Sequence, residues 1–175
     1  MCGFAGFINY CNLNKDSVRS VALKMANSIQ HRGPDDCGVW QDDSCQCALA
    51  HRRLSILDLS SAGHQPMVSR SGLSVIAYNG EIYNHSSLRH QLESSGYSWH
   101  GSSDTESLLA SIETWGLEMA LKKSVGMFAL AFLDLDKRFL YLARDRMGEK
   151  PLYYGMQKGV FMFGSELKAL KAHPA

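Results

Sequence analysis

The chain has 175 residues, 45% of them hydrophobic, enough apolar material for the core of one ordinary domain. Eighteen Lys and Arg stand against seventeen Asp and Glu, a formal charge of +1, so no broad field attracts nucleic acid or an anionic membrane, and the expected substrate is small. No window approaches a bilayer-crossing apolar run and the N-terminus lacks a secretory pattern, which leads us to expect a cytoplasmic protein.

In chain order, Cys2-Gly3-Phe4-Ala5-Gly6-Phe7-Ile8 reads as a short glycine-rich strand that begins almost at the terminus. Val18, Val21, Ala22, Met25 and Ile29 then recur at helical spacing behind Asp16 as N-cap, and the helix stops near His31-Arg32-Gly33-Pro34. A loop with Asp35 and Asp36 follows. Strands are predicted at Cys47–Leu54 and Leu73–Tyr78, the second leading into Asn79-Gly80, with a loop rich in Ser and Gly between them. Asn84 and Ser103 are set to cap two helices closed by Gly96 and Gly116. The remaining strands fall at Gly126–Leu135, Phe139–Arg144, Leu152–Tyr154 and Val160–Phe163, with a hairpin turn at Asp136-Lys137 and a terminal helix near Ser165. Strands in runs, with helices before and between them, favour a layered α+β fold over a parallel βαβ array.

Cysteine usage needs separate treatment. Cys2, Cys11, Cys37, Cys45 and Cys47 form an odd set without a C-x-x-C pair, which fits a reducing compartment. Cys45 and Cys47 read as two residues on one strand face, and the seven histidines show no paired ligand spacing, so no metal is expected. Cys2 is different because removal of Met1 would leave one residue holding both a thiol and a free α-amine, nucleophile and base together. Reference pKa values of about 8.5 for a thiol and 7.7–8.0 for an α-amine make that proton transfer feasible near neutrality. Standing alone, Cys2 would be a small apolar residue in a first strand.

A set of further segments changes that balance. Cys2-Gly3-Phe4-Ala5-Gly6, His31-Arg32-Gly33-Pro34-Asp35-Asp36, Arg53-Leu54-Ser55-Ile56-Leu57-Asp58, Gly63-His64-Gln65-Pro66-Met67, Tyr78-Asn79-Gly80-Glu81-Ile82-Tyr83-Asn84 and Ser103-Asp104-Thr105-Glu106 occur in that order. Gly126-Met127-Phe128-Ala129, Ala143-Arg144-Asp145-Arg146, Pro151-Leu152-Tyr153-Tyr154 and Gly164-Ser165-Glu166-Leu167-Lys168-Ala169-Leu170 extend the set over essentially the whole chain. Together they resemble the class II glutamine amidotransferases of the asparagine-synthetase type. Related branches carry a Trp-containing motif where this chain has His51-Arg52-Arg53-Leu54-Ser55.

The resemblance implies an N-terminal-nucleophile hydrolase fold, a four-layer αββα sandwich with two antiparallel sheets between helical layers. It also implies hydrolysis of L-glutamine to glutamate and ammonia through a Cys2 thioester, with the Asn79 side-chain amide and the Gly80 backbone N–H as oxyanion hole. On the residues alone, Asn79-Gly80 is equally a strand-ending turn. Arg53 offers a planar fork for the α-carboxylate, with the spacing to Leu54-Ser55 favouring it over Arg52. Asp104 would face the α-ammonium from within the Ser103–Glu106 capping box, and Glu81 is the second contact at that end. Arg32, Asp35, Asp36, Arg144, Asp145 and Arg146 are assigned to ordering loops. No cofactor is expected for this domain, since ATP and Mg would belong to a synthetase domain that this sequence does not contain. The implied partner is an ammonia-accepting synthetase domain or subunit, using aspartate or a carboxylated sugar; the resemblance also leaves room for a homodimer. A catalytically silent module that regulates a synthetase is the alternative from another class, and an acylase for a different amide the alternative within enzymes.

Overall fold

Alternate residues of the strands have different partners, and that division builds the layers. The computed structural model describes residues 1–9, 15–42 and 47–175. Cys11 and Cys45 lie outside them, and with Cys45 the reading of a shared strand face. One sheet joins β1 (Gly3–Asn9), β2 (Asp36–Gln41), β3 (Cys47–Arg53), β8 (Tyr153–Gln157) and β9 (Val160–Gly164) in the order β2-β3-β1-β9-β8. The other joins β4 (Met67–Val68), β5 (Ser74–Ile82), β6 (Gly126–Asp134) and β7 (Phe139–Arg144) in the order β4-β5-β6-β7. Every pairing is antiparallel.

Phe4, Leu49, Val75, Ala77, Ala129, Ala131 and Phe163 meet in the space between the sheets. Their neighbours Ala5, Phe7, Ala48 and Ala50 turn the other way, onto Val18, Ala22, Met25 and Ile29 of helix α1 (Lys15–Ser28) and the segment after it, and onto Leu170 of α5 (Leu167–Lys171). Ile76, Tyr78, Ile82, Phe128, Leu130 and Phe132 pack outward against α2 (His85–Glu93), α3 (Asp104–Trp115) and α4 (Leu117–Lys123). The period of two along each strand is thus what makes a sandwich of helix, sheet, sheet and helix. Each fully buried aliphatic or aromatic side chain in these clusters contributes about 1.5–3 kcal/mol relative to exposure. Among the described residues no helix is long and apolar enough to cross a membrane.

Several local expectations are corrected by tertiary partners. Residues from Asp36 onward form edge strand β2 rather than a loop, because β3 supplies the ladder that this Asp- and Gly-containing stretch does not favour by itself. Asp16 lies inside the first turn of α1, which already begins at Lys15. Asn84 makes no side-chain cap; its amide instead donates to the Lys123 carbonyl and accepts from Val125 N–H, both at 2.9 Å, bracing the end of α4. Gly116 closes α3 at φ +79° and at once opens α4, a helix too short for its periodicity to stand out in the sequence. The terminal helix starts at Leu167, two residues after Ser165. Ser165 caps β1 instead, its hydroxyl accepting from Phe4 N–H at 3.0 Å.

Candidate active site

β1 is the middle strand of its sheet and begins at Gly3, so Cys2 stands at the head of the core. Arg32 fixes it there: its Nε donates to the Cys2 carbonyl at 2.9 Å while Nη1 pairs with Glu166 at 3.1 Å. The Cys2 thiol lies against the Leu54 backbone, its sulfur 3.3 Å from the N–H and 3.5 Å from the carbonyl oxygen. Burial pushes the thiol pKa up; the Leu54 N–H, the chain's N-terminal charge and Arg53 pull against it.

Strand alternation brings the other groups to the same cleft. On β3, Leu49 faces the opposite sheet, so His51 and Arg53 share that side, while Arg52 turns toward α1 and binds the Asn27 side chain. Of the two arginines, Arg53 is the one that lines the cleft. Its guanidinium donates to the Ser60 carbonyl at 2.9 Å and to the Asp58 carbonyl, drawing the 54–60 segment around the cleft. Gly63 leaves room for it, since a Cβ there would meet Nη2 at 2.0 Å and make the guanidinium shift.

Asp58 anchors that segment by accepting from Ser60 N–H at 2.8 Å, from the Ser60 hydroxyl at 2.6 Å and from Ser102 N–H at 2.8 Å. These donors, the Ser60 hydroxyl foremost, hold its carboxyl down at about 2. From the other wall, Asp104 accepts from the Tyr78 hydroxyl at 2.7 Å and from Ile82 N–H at 2.9 Å, which ties the start of α3 to β5. Burial raises its pKa, and those two bonds oppose the rise. Glu81 stands nearby, its carboxyl also raised, first by burial and then by the Asp104 charge, with Lys150 lowering it. Cys2, Arg53, Asp58, Gly80, Glu81 and Asp104 all line one cleft with about 440 Å³ of empty space, partly open to solvent.

Asn79 is not part of that lining surface. It is buried in β5, and its amide Nδ2 has no hydrogen-bond partner among the described residues. A buried amide donor left without a partner costs about 1–3 kcal/mol, so it is informative where it occurs. Gly80 is required by the sheet as well, since a Cβ would press on the Met127 carbonyl at 2.4 Å and on Phe128. The Ser103–Glu106 box forms only by half. Ser103 accepts from Glu106 N–H at 3.2 Å, but the Glu106 carboxylate binds His100 and Gly101 N–H at 2.8 and 2.9 Å, bracing the loop before α3.

Residues 1–175 match the glutamine amidotransferase domain family. The chain belongs to that family. It is 37% identical over 178 residues to asparagine synthetase [glutamine-hydrolyzing] 3 of Bacillus subtilis, covering 99% of this chain and 28% of that protein. With asparagine synthetase B [glutamine-hydrolyzing] of Escherichia coli the identity is 39% over 173 residues, covering 97% and 30%. The chain thus spans less than a third of the length of these two relatives. Glutamine phosphoribosylpyrophosphate amidotransferase from B. subtilis superposes with a TM-score of 0.81 over 98% of this chain and 43% of its own, at 22% identity, so the two share a fold.

Two buried residues brace this cleft that the motifs contained but to which the sequence reading assigned no role. Gln65 accepts from Tyr78 N–H at 2.7 Å and donates to the Thr105 hydroxyl at 3.2 Å, joining the edge of β5 to α3; its bond to Pro66 is cis. His51 crosses from one sheet to the other, its Nε2 lying 2.9 Å from the Tyr78 carbonyl immediately before Asn79. A carbonyl only accepts, so Nε2 carries the proton, and Nδ1 is buried without a partner among the described residues. For His51 the signal is a polar residue at an inward position of β3, legible only once the sheets are paired, whereas Gln65 precedes β4 and its partners are set by the fold alone.

Burial drives the His51 pKa down to about 4, and the sign of its linkage follows. An unfolded chain takes up a proton below about pH 6.5 that the folded domain refuses until about 4, so stability falls as pH drops through this window. Urea unfolding at pH 7.5 and pH 5.0 should show a loss of about 2 kcal/mol that is absent from His51→Gln. An equal loss in both proteins would assign the acid sensitivity to other groups.

Proposed function

We propose that this domain releases ammonia from L-glutamine, with Cys2 as nucleophile once Met1 has been removed. The observation that carries the reading is one cleft that combines a thiol, a guanidinium and the carboxylates of Asp58, Glu81 and Asp104, with a buried, unpartnered amide donor on Asn79, the residue before Gly80. A free amino acid with a side-chain amide matches that set: Arg53 takes the α-carboxylate, and Asp104 with Glu81 takes the α-ammonium.

In the proposed cycle the free α-amine of Cys2 accepts the thiol proton and the thiolate attacks the amide carbon. Asn79 Nδ2 and the Gly80 N–H stabilise the resulting oxyanion. Collapse breaks the C–N bond, the amine's proton leaves with ammonia, and a thioester remains. Water, deprotonated by the same amine, hydrolyses the thioester to glutamate and restores the thiol. No cofactor enters these steps. The names of the asparagine synthetase relatives support transfer of the ammonia to a synthetase-like domain or partner, where ATP and Mg would act.

Glutamate release from glutamine by the purified domain tests this, with intact mass reporting the loss of Met1. Activity confined to the processed form supports the N-terminal nucleophile, because in the unprocessed chain the Cys2 nitrogen is an amide. Silence of the processed form, with a synthetase partner present, would point to a regulatory module instead.

A further inference from the structure

Lys150 is a buried lysine that the reaction just described does not use. It is 5% exposed, and its Nζ lies 2.9 Å from Met1 Sδ, a weak acceptor. Among the described residues no carboxylate forms an ion pair with it. An ammonium removed from water without a paired carboxylate is costly to maintain, and here the backbone that bears it is tied down. Its N–H donates to Asp145 at 3.1 Å and its carbonyl accepts from Arg144 Nε. Asp145 also binds the N–H groups of Phe128, Met147 and Glu149, so the turn bearing Lys150 is fastened to β6.

We propose that Lys150 is a positioning residue for glutamine hydrolysis, its ammonium standing beside the N-terminus and keeping the Cys2 α-amine unprotonated near neutrality. This rests on the reading of Cys2 as an N-terminal nucleophile. Met1 Sδ is five covalent bonds from the Cys2 nitrogen, a span of at most about 6.5 Å. The ammonium therefore lies within about 9.5 Å of that nitrogen, and loss of Met1 removes the thioether between them.

The other charges facing the terminus leave this task to Lys150. Asp104 on α3 and Glu81 on β5 line the same cleft and favour a protonated amine. Arg32, which holds the Cys2 carbonyl, is balanced by its ion pair with Glu166. Arg53 on β3 opposes protonation, but a bound α-carboxylate would cancel its charge. Lys150 is the cation that no substrate group offsets. It also favours the ionised form of Glu81, keeping that carboxylate ready for the substrate ammonium.

The test compares kcat/KM for glutamine against pH in the processed wild type, Lys150→Met and Lys150→Arg. A charge at this range moves the amine pKa by about 0.5–1 unit. The acid limb of Lys150→Met should therefore shift upward by about that much, leaving activity at pH 6.5 about 3–10-fold below wild type and activity at pH 9 unchanged. Lys150→Arg should keep the wild-type limb, and Lys150→Gln replaces the Met variant if the latter fails to fold. An unmoved limb, or a uniform loss at every pH, overturns the proposal while glutamine hydrolysis by the wild type still stands. NMR titration of an isotopically labelled Cys2 reads the amine directly, even if the wild type proves inactive: a lower amine pKa with Lys150 than without it supports the assignment, and equal values sink it.

Discussion

Glutamine hydrolysis by the processed domain is expected to fall to background in Cys2→Ala, a loss of at least about 10³-fold, while the unfolding transition stays in place. Alanine preserves the small residue that permits Met1 removal, so the variant keeps the α-amine and loses only the thiol. Among the described residues the sulfur's hydrogen-bond contacts are with the Leu54 backbone, at 3.3 and 3.5 Å, and the expected change in stability is within about 1 kcal/mol. Because burial raises the thiol pKa, little thiolate exists near neutrality without a base, which is why the amine freed by Met1 removal matters as much as the sulfur. Parallel assays of glutamate release and thermal unfolding separate chemistry from folding. Substantial residual turnover in a well-folded Cys2→Ala domain would exclude the thioester route.

The second large effect is expected at Asn79. Removing one donor of an oxyanion hole costs about 10²–10³ in kcat, so Asn79→Ala should lose that factor with KM for glutamine changed only a few-fold. In the resting domain Asn79 Nδ2 is buried without a partner among the described residues, so substitution surrenders no hydrogen bond there. A structural asparagine would behave in the opposite way, lowering stability with kcat preserved. Measuring kcat, KM and the unfolding midpoint on one preparation decides between the two. Strand alternation puts Asn79 on the same side of β5 as Val75 and Ala77, the inter-sheet side against which Phe4 of β1 packs.

Much of this was legible before any coordinates, and the parts that were not share a cause. Strands β6 and β7 follow the sequence closely, because alternation, aromatic content and the Asp136-Lys137 turn agree about them. Edge strand β2 and the short helix α4 were invisible because each is stabilised by its neighbour rather than by its own propensity. Among the site residues, Arg53 had to be separated from Arg52, and Asp104 from a purely local role at a helix start. Both questions turn on which way a side chain points.

By itself the amino-acid order determined the family, the layered α+β class and the residue types that an amide-cleaving thiol needs, because these depend on identity and spacing along the chain. Tertiary structure alone decided that Cys2, Arg53, Glu81 and Asp104 share one cleft, that Asn79 Nδ2 is buried without a partner among the described residues, and that His51 and Gln65 tie together elements distant in sequence. It also brought Lys150 to the N-terminus across 149 residues of chain. Strand order and the face each side chain presents are products of pairing between remote segments, and no local pattern carries that information.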